Sequence, residues 1–202
     1  LGASASWDAL DVLRLRASYG EGFKAPSLFQ LFSDFGNTAL RPEESTGWDA
    51  GAELRLLDGA LTASATWFER RTRNQIDFAS CFGVTSPICV DRPFGTYDNI
   101  ARTRARGTEL ALGMAPVDGL TVQAQYSWID ARNRTEGSAN EGNVLARRPD
   151  HGLSVLADYV APGGWSLGVT VAHVSESFDN AANTRRIPGS VTADIRASFA
   201  IT

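Results

Sequence analysis

The sequence predicts an all-β chain, an antiparallel transmembrane β-barrel fragment of about eight up-and-down strands with long extracellular loops and short periplasmic turns. Three observations carry this. Apolar and polar residues alternate along one segment after another, which is the period of a strand with two different faces. The connections alternate strictly, with tight turns at Asp58-Gly59, Asp118-Gly119 and Gly163-Gly164 and long loops between them. Aromatics fall in two bands: Tyr159, Trp165 and Phe199 near the short-turn ends, and Tyr19, Trp48, Trp67 and Trp128 near the long-loop ends, as interfacial girdles require.

The first expected strand covers residues 12–19, with Leu13, Leu15, Ala17 and Tyr19 on one face and Arg14, Arg16 and Ser18 on the other. A long connection over residues 18–51 follows, in which Pro26 and Pro42 withhold amide donors and Gly20, Gly22, Gly36 and Gly47 loosen the backbone. No regular strand is expected to pass through it. Leu28, Phe29, Leu31 and Phe32 have helical spacing, so a turn or two of helix is expected there, burying an apolar face in a small local core or offering it to a ligand.

Trp48, Ala50, Ala52, Leu54 and Leu56 form the apolar face of the second strand, which stops at the Asp58-Gly59 hairpin signal. The return strand sets Leu61, Ala63, Ala65 and Trp67 against Thr62, Ser64 and Thr66, then meets charges from Glu69 to Arg73 that must lie beyond any bilayer. A second long loop holds Cys81, Cys89, Pro87, Pro93 and Gly95, and the chain resumes as a strand near Asn99 with Leu110, Leu112 and Met114 on one face. Leu120, Val122, Ala124, Tyr126 and Trp128 then alternate with Thr121, Gln123, Gln125 and Ser127. A soluble sandwich would show the same alternation, but it has no need of the aromatic bands.

The third long loop, residues 133–146, is rich in Asn, Glu and Gly. Leu153, Val155, Ala157 and Tyr159 mark the sixth strand; Trp165, Leu167, Val169 and Val171 mark the seventh. After a loop over residues 176–186, the eighth alternates Val191, Ala193, Ile195, Ala197, Phe199 and Ile201 with Thr192, Asp194, Arg196 and Ser198.

Apolar types make up 43% of the chain and mean hydropathy is near zero, a balance that suits either a soluble protein or a membrane barrel, where only alternate residues meet lipid. No apolar run is long enough for a spanning helix, so a membrane location implies strands. The formal charge of −4 and dispersed arginines argue against a nucleic-acid partner. Cys81 and Cys89, the two cysteines, share one loop and are expected to pair in an exported protein. The segment LGASASWDALDV has neither the basic start nor the apolar stretch of a signal peptide.

Gly22-Phe23-Lys24-Ala25-Pro26-Ser27-Leu28, Gly36-Asn37, Leu40-Arg41-Pro42-Glu43, Ser45, Trp48 and Gly51 resemble the later barrel part of TonB-dependent outer-membrane receptors. Among these, the likeness is greatest to the vitamin B12 (cobalamin) receptors. It continues in Tyr97-Asp98-Asn99 with Arg104, Arg106, Gly107 and Glu109, in residues 126–133, and in Leu145-Ala146-Arg147-Arg148. Asp49 stands where the family more often has Glu, and Arg41 where Lys is frequent; both keep the sign of charge. The resemblance implies that residues 1–202 are part of a wider barrel in the bacterial outer membrane. It implies also a plug domain, a contact with TonB through that plug and closing strands, all expected outside this chain.

The function so implied is import of a large scarce nutrient, cobalamin first and a ferric siderophore as the alternative. A complete eight-stranded porin or adhesin is the rival from another class. The ligand-contact candidates lie in loops: Phe29, Phe32, Phe35, Asn37, Tyr97 and Arg147. An outer-membrane hydrolase would need a pair such as His151 with Asp150, or His173 with Asp179, and polar residues at strand ends are the simpler reading. No nucleophile elbow, metal-ligand cluster or phosphate loop is present in the sequence, so no enzyme activity, cofactor or metal is expected. Asp130, Glu136 and Glu141 are the carboxylates nearest to a calcium-like set, and such acidic loops are ordinarily solvated.

Overall fold

The computed structural model describes residues 1–81 and 87–200. One antiparallel sheet contains β1 Gly2–Leu10, β2 Leu13–Lys24, β3 Glu43–Leu56, β4 Leu61–Ser80, β5 Gly95–Val117, β6 Leu120–Asn133, β7 His151–Val160, β8 Trp165–Val174 and β11 Ser190–Phe199, neighbours in that order. Two short strands, β9 Ser177–Phe178 and β10 Arg186–Ile187, form a separate ladder within the last long loop. β1 and β11 are not paired with each other. The described sheet is therefore an open wall, and a self-closed eight-stranded barrel is not its arrangement.

The wall has one strand more than the alternation suggested. Its apolar face in β1 is Ala3, Ala5 and Trp7, and the small residues before Trp7 gave little contrast with Ser4, Ser6 and Asp8. β1 pairs Ala5 with Ala17 and Trp7 with Leu15, so the strand over residues 12–19 is internal rather than an edge. Val12 falls in the two-residue turn between them. The sheet also extends into the first long connection: β2 runs to Lys24 and β3 begins at Glu43, leaving residues 25–42 as the loop. Gly20, Gly22 and Gly47 sit in strands, since a missing side chain does not prevent ladder hydrogen bonds. β4 and β5 likewise climb past the charged run to Ser80 and from Gly95, the latter four residues before Asn99. Ile201, expected on the last strand, lies outside the described residues.

Directly paired residues share a face, so the ladder fixes both surfaces at once. Trp7, Leu15, Ala52, Ala65, Leu110, Tyr126, Leu153, His173 and Val191 are joined pair by pair into one row across the nine strands. The row begins beside a short turn on β1 and ends beside a long loop on β11, which is the oblique climb that tilted barrel strands impose. It is apolar almost throughout and faces lipid. The neighbouring row on the other face joins Arg16, Gly51, Thr66, Glu109, Ser127 and Gly152 and faces the lumen.

Several charges on the lumen face meet partners on nearby strands. Arg14 pairs with Asp8 at 2.6 Å, Arg16 donates to Thr66 Oγ1 at 2.7 Å, Ser18 donates to Asp49, and Arg196 reaches Asp158 at 3.0 Å and Thr170 Oγ1 at 2.8 Å. Two glycines allow this closeness in different ways. A Cβ on Gly168 would sit 2.3 Å from Asp158 Oδ1, so its bare face lets Arg196 pass over the strand to that carboxylate. A Cβ on Gly107 would sit 2.1 Å from the backbone oxygen of Trp128, where only the strands themselves can give way.

Among the described residues the buried apolar ones, Leu40, Ile76, Cys81 and Ala131, lie not in the membrane-level wall but at its long-loop end. Sheet faces there are covered by loops instead of lipid.

Two predictions follow the face assignment. Ala124→Arg is expected to cost about 2–4 kcal/mol of folding stability in lipid and Gln123→Arg much less, because only position 124 points at mid-bilayer hydrocarbon; equilibrium unfolding in phospholipid vesicles measures both. Gly107→Ala is expected to cost about 1–3 kcal/mol by forcing two strands apart. Gly168→Ala, which displaces only flexible side-chain ends, should cost less in the same assay.

Candidate functional site

The first long loop is built from its own polar ends. Ser27 and Gln30 form a reciprocal cap, Gln30 N donating to Ser27 Oγ at 3.2 Å and Ser27 N to Gln30 Oε1 at 2.9 Å, and this starts the five-residue helix α1, Leu28–Phe32. The helix forms where its spacing predicts, but its apolar side is not buried: Leu28 is 76% exposed, Phe29 61% and Phe32 68%. The loop's buried residues are Asn37 and Leu40 instead. A helix this short has no flank to pack under, and polar contacts to the neighbouring loop hold it in place.

Those contacts converge on the start of β5. Asn37 Nδ2 donates to the Tyr97 backbone oxygen at 3.0 Å while its Oδ1 accepts from Ala39 N at 3.0 Å. Tyr97 N donates to Phe35 O at 3.1 Å. Thr96, fully buried, donates its hydroxyl to Phe35 O at 3.1 Å and accepts from Arg92 at 2.6 Å. Asn99 completes the clamp by accepting from Arg41 N at 2.7 Å and donating to the backbone oxygens of Arg41 and Asn74 at 2.8 and 2.7 Å.

Aromatic rings line up over this polar clamp. Phe29 meets Tyr97 at 6.1 Å, Tyr97 meets Phe78 at 5.6 Å, and Phe78 meets Phe35 at 5.7 Å between centroids, all edge to face. Four of the sequence candidates, Phe29, Phe35, Asn37 and Tyr97, are thus brought together. Phe32 stands on the same helix but outside this chain of rings. Phe78, Thr96 and Asn99 complete the cluster without having been singled out as contacts. Asn99 belongs to the Tyr97-Asp98-Asn99 motif, whereas Phe78 follows the charged run where regular alternation has already broken.

Arg147 belongs to a different assembly. Its guanidinium pairs with Asp179, with Nε at 3.0 Å and a terminal nitrogen at 2.9 Å from Oδ1, and its backbone N donates to Phe178 O at 2.6 Å. Arg185 shares Asp179 at 3.4 Å. Asn183 ties the same two loops, accepting from Val144 N and donating to Val144 O, both at 2.9 Å. The loops thus dock in pairs: residues 25–42 against the start of β5, and residues 134–150 against residues 175–189.

Cys81 and Cys89 form a disulfide with Cα atoms 5.3 Å apart, and Cys81 is buried. The paired histidine and aspartate that a hydrolase needs do not assemble. His151 Nδ1 lies 2.8 Å from the Tyr126 hydroxyl with the two rings stacked on the lipid face, and Asp179 is occupied by Arg147 and Arg185. The calcium-like carboxylates are dispersed too: Asp130 binds Arg106 and Arg132, Glu141 accepts from Gly137 N, and Glu136 lies by Arg102. Among the described residues no three His, Cys, Asp or Glu side chains group as metal ligands.

The wall has counterparts among known proteins. A family model described as TonB dependent receptor-like, beta-barrel, matches residues 2–202. The chain belongs to the TonB-dependent receptor family. Its wall superposes on solved structures at TM-scores of 0.77 for the ferric citrate transporter FecA, 0.73 for BauA, the ferric preacinetobactin receptor from Acinetobacter baumannii, and 0.76 for the copper transporter OprC. Identities are 23%, 21% and 17%; the matches cover 100%, 99% and 100% of this chain but 30%, 29% and 31% of those proteins. The chain therefore spans about three-tenths of the length of these solved proteins, and its place is the bacterial outer membrane. The family and these neighbours are receptors and transporters.

Removing the buried amide tests the loop clamp. Asn37→Ala removes the shorter of two side-chain hydrogen bonds to the Tyr97 oxygen, at 3.0 Å, and the Oδ1 acceptor of Ala39 N, so a local loss of about 1–3 kcal/mol is expected. Limited proteolysis should cut residues 25–42 sooner, with the heat stability of the barrel wall unchanged.

Proposed function

We propose that this wall is part of a receptor that captures a large, scarce nutrient at the cell surface and imports it with energy delivered by TonB through a plug domain. The observation that carries the reading is the clamp of Asn37, Thr96 and Asn99, which presents Phe29, Phe35, Phe78 and Tyr97 as a fixed aromatic surface at the long-loop end of a charged lumen. Such a surface suits a ligand with broad flat or apolar faces, because edge-to-face rings already lie in contact geometry and lose little freedom on binding.

A ferric chelate is the first ligand class. Support comes from the solved relatives, whose descriptions include receptors for ferric preacinetobactin and ferric yersiniabactin and a ferric citrate transporter. Cobalamin is the second reading, favoured by the order of residues from Gly22 to Gly51 and around Tyr97. Arg147 is a ligand candidate only after release from Asp179, so an anionic ligand must compete with that carboxylate. The Cys81–Cys89 bond is proposed to hold the second loop beside Tyr97.

The experiment is a side-by-side titration of the intact receptor with cobalamin and a panel of ferric siderophores. Tyr97→Ala and Phe29→Ala are each expected to weaken the true ligand about tenfold, roughly 1.4 kcal/mol. Reduction of the disulfide should weaken it less. Full affinity in both aromatic variants would place the ligand elsewhere.

A further inference from the structure

The lipid face carries an arrangement that nutrient import does not use. Trp67, Thr108 and Trp128 are paired across β4, β5 and β6, with the two indoles 6.1 Å apart, and mark the upper aromatic girdle. The next outward row above is Glu69, Arg106 and Asp130, and the row above that is Arg71, Arg104 and Arg132, three arginines directly abreast. Like charges opposite one another in a ladder destabilise a sheet. Here the row below offsets them. Glu69 binds Arg71 at 2.7 Å and also Arg104, while Asp130 binds Arg132 at 2.6 Å and Arg106 at 3.2 Å.

The compensation is incomplete in charge and uneven in position. Four arginines share two carboxylates, leaving two net positive charges. The carboxylates lie inward, with Glu69 9% and Asp130 15% exposed at the side chain, and the cations lie outward, with Arg71 70% and Arg132 41% exposed. Arg104 Nε, buried in the middle, has no hydrogen-bond partner.

Depth follows from strand geometry. Two residues advance about 6.6 Å along a strand, or roughly 5 Å in height at a 40° tilt. The guanidinium groups of Arg71 and Arg132 bend down to the Glu69 and Asp130 row, so they sit about 5 Å above the tryptophan girdle. That is headgroup level, outside the hydrocarbon and below the loops. Planar guanidinium groups match phosphate oxygens in pairs, and a row of them facing outward at this height meets the phosphates of the outer leaflet first.

We propose that Arg71, Arg104, Arg106 and Arg132 form a binding site for the phosphate groups of a phosphorylated glycolipid in the outer leaflet, with Trp67 and Trp128 packing against its acyl chains. Glu69 and Asp130 act as positioning residues that keep the guanidinium groups extended before lipid arrives. The site is independent of which nutrient the receptor carries.

The test uses the intact receptor in phosphatidylcholine nanodiscs, with native mass spectrometry reading bound lipid as bisphosphorylated lipid A is added. Arg71→Gln with Arg132→Gln is expected to lower lipid A retention about tenfold. Arg55→Gln, on the lumen face, should leave it unchanged. Enzymatic removal of the lipid phosphates should lower retention by the parent protein to the level of the double variant. If the double variant is not recovered folded, Arg71→Gln alone carries the comparison, with about a threefold loss expected. Unchanged retention in the variants, equal binding of dephosphorylated lipid, or full displacement of lipid A by inorganic phosphate would each overturn the proposal.

Discussion

Every strand in this wall answers to one constraint: in hydrocarbon, a backbone N–H or C=O has no water to turn to. The ladder from β1 to β11 satisfies these groups strand by strand, and it does so even where side chains oppose it. Three arginines stand abreast on β4, β5 and β6 without breaking register, and Gly107 removes a Cβ so that the ladder beside Trp128 can close. Pairing comes first, and side chains are fitted to it. The same rule means that the outer edges of β1 and β11 cannot stand unpaired in hydrocarbon.

Pairing also turns a one-dimensional pattern into depth. Because paired residues share a face and tilted strands climb, a single row leads from Trp7 near a short turn to Val191 near a long loop. Aromatics occupy the two levels where that row crosses the interfaces, and Trp165 and Phe199 meet at 4.7 Å at the lower one. Among the described residues, charges on the lipid face appear only above the upper level, and charges on the opposite face appear throughout. The rule separates by height what composition alone mixes.

Much of this was legible in the sequence, and the unread parts have physical causes. Alternation and Asp-Gly turns reveal strands whose two faces differ strongly, as in residues 120–128. They hide a strand such as β1, where Ala faces Ser. Pro26 and Pro42 marked a loop correctly, but the flanking glycines suggested a longer one, since glycine permits irregular backbone without demanding it. Of the ligand candidates, Phe29, Phe35, Asn37 and Tyr97 met, while Arg147 met Asp179 instead. Which loop docks on which is set by buried amides such as Asn37 and Asn183, and no local period announces such contacts. The outward arginines needed register before their face had meaning.

The loops show how a shared wall can carry different surfaces. The rings of Phe29, Phe35 and Tyr97 are held through backbone atoms: Asn37 and Thr96 bind the backbone oxygens of Tyr97 and Phe35, and Asn99 binds those of Arg41 and Asn74. A clamp that grips backbone does not care which side chains it presents. Ring-bearing positions can therefore change without disturbing the clamp, and the clamp stands on β4 and β5, which are anchored by the ladder far below. Fold and loop surface are in this way set by different atoms, backbone for the first and exposed side chains for the second, so a wall can superpose on transporters of ferric citrate and of copper alike without a ligand being fixed by that likeness.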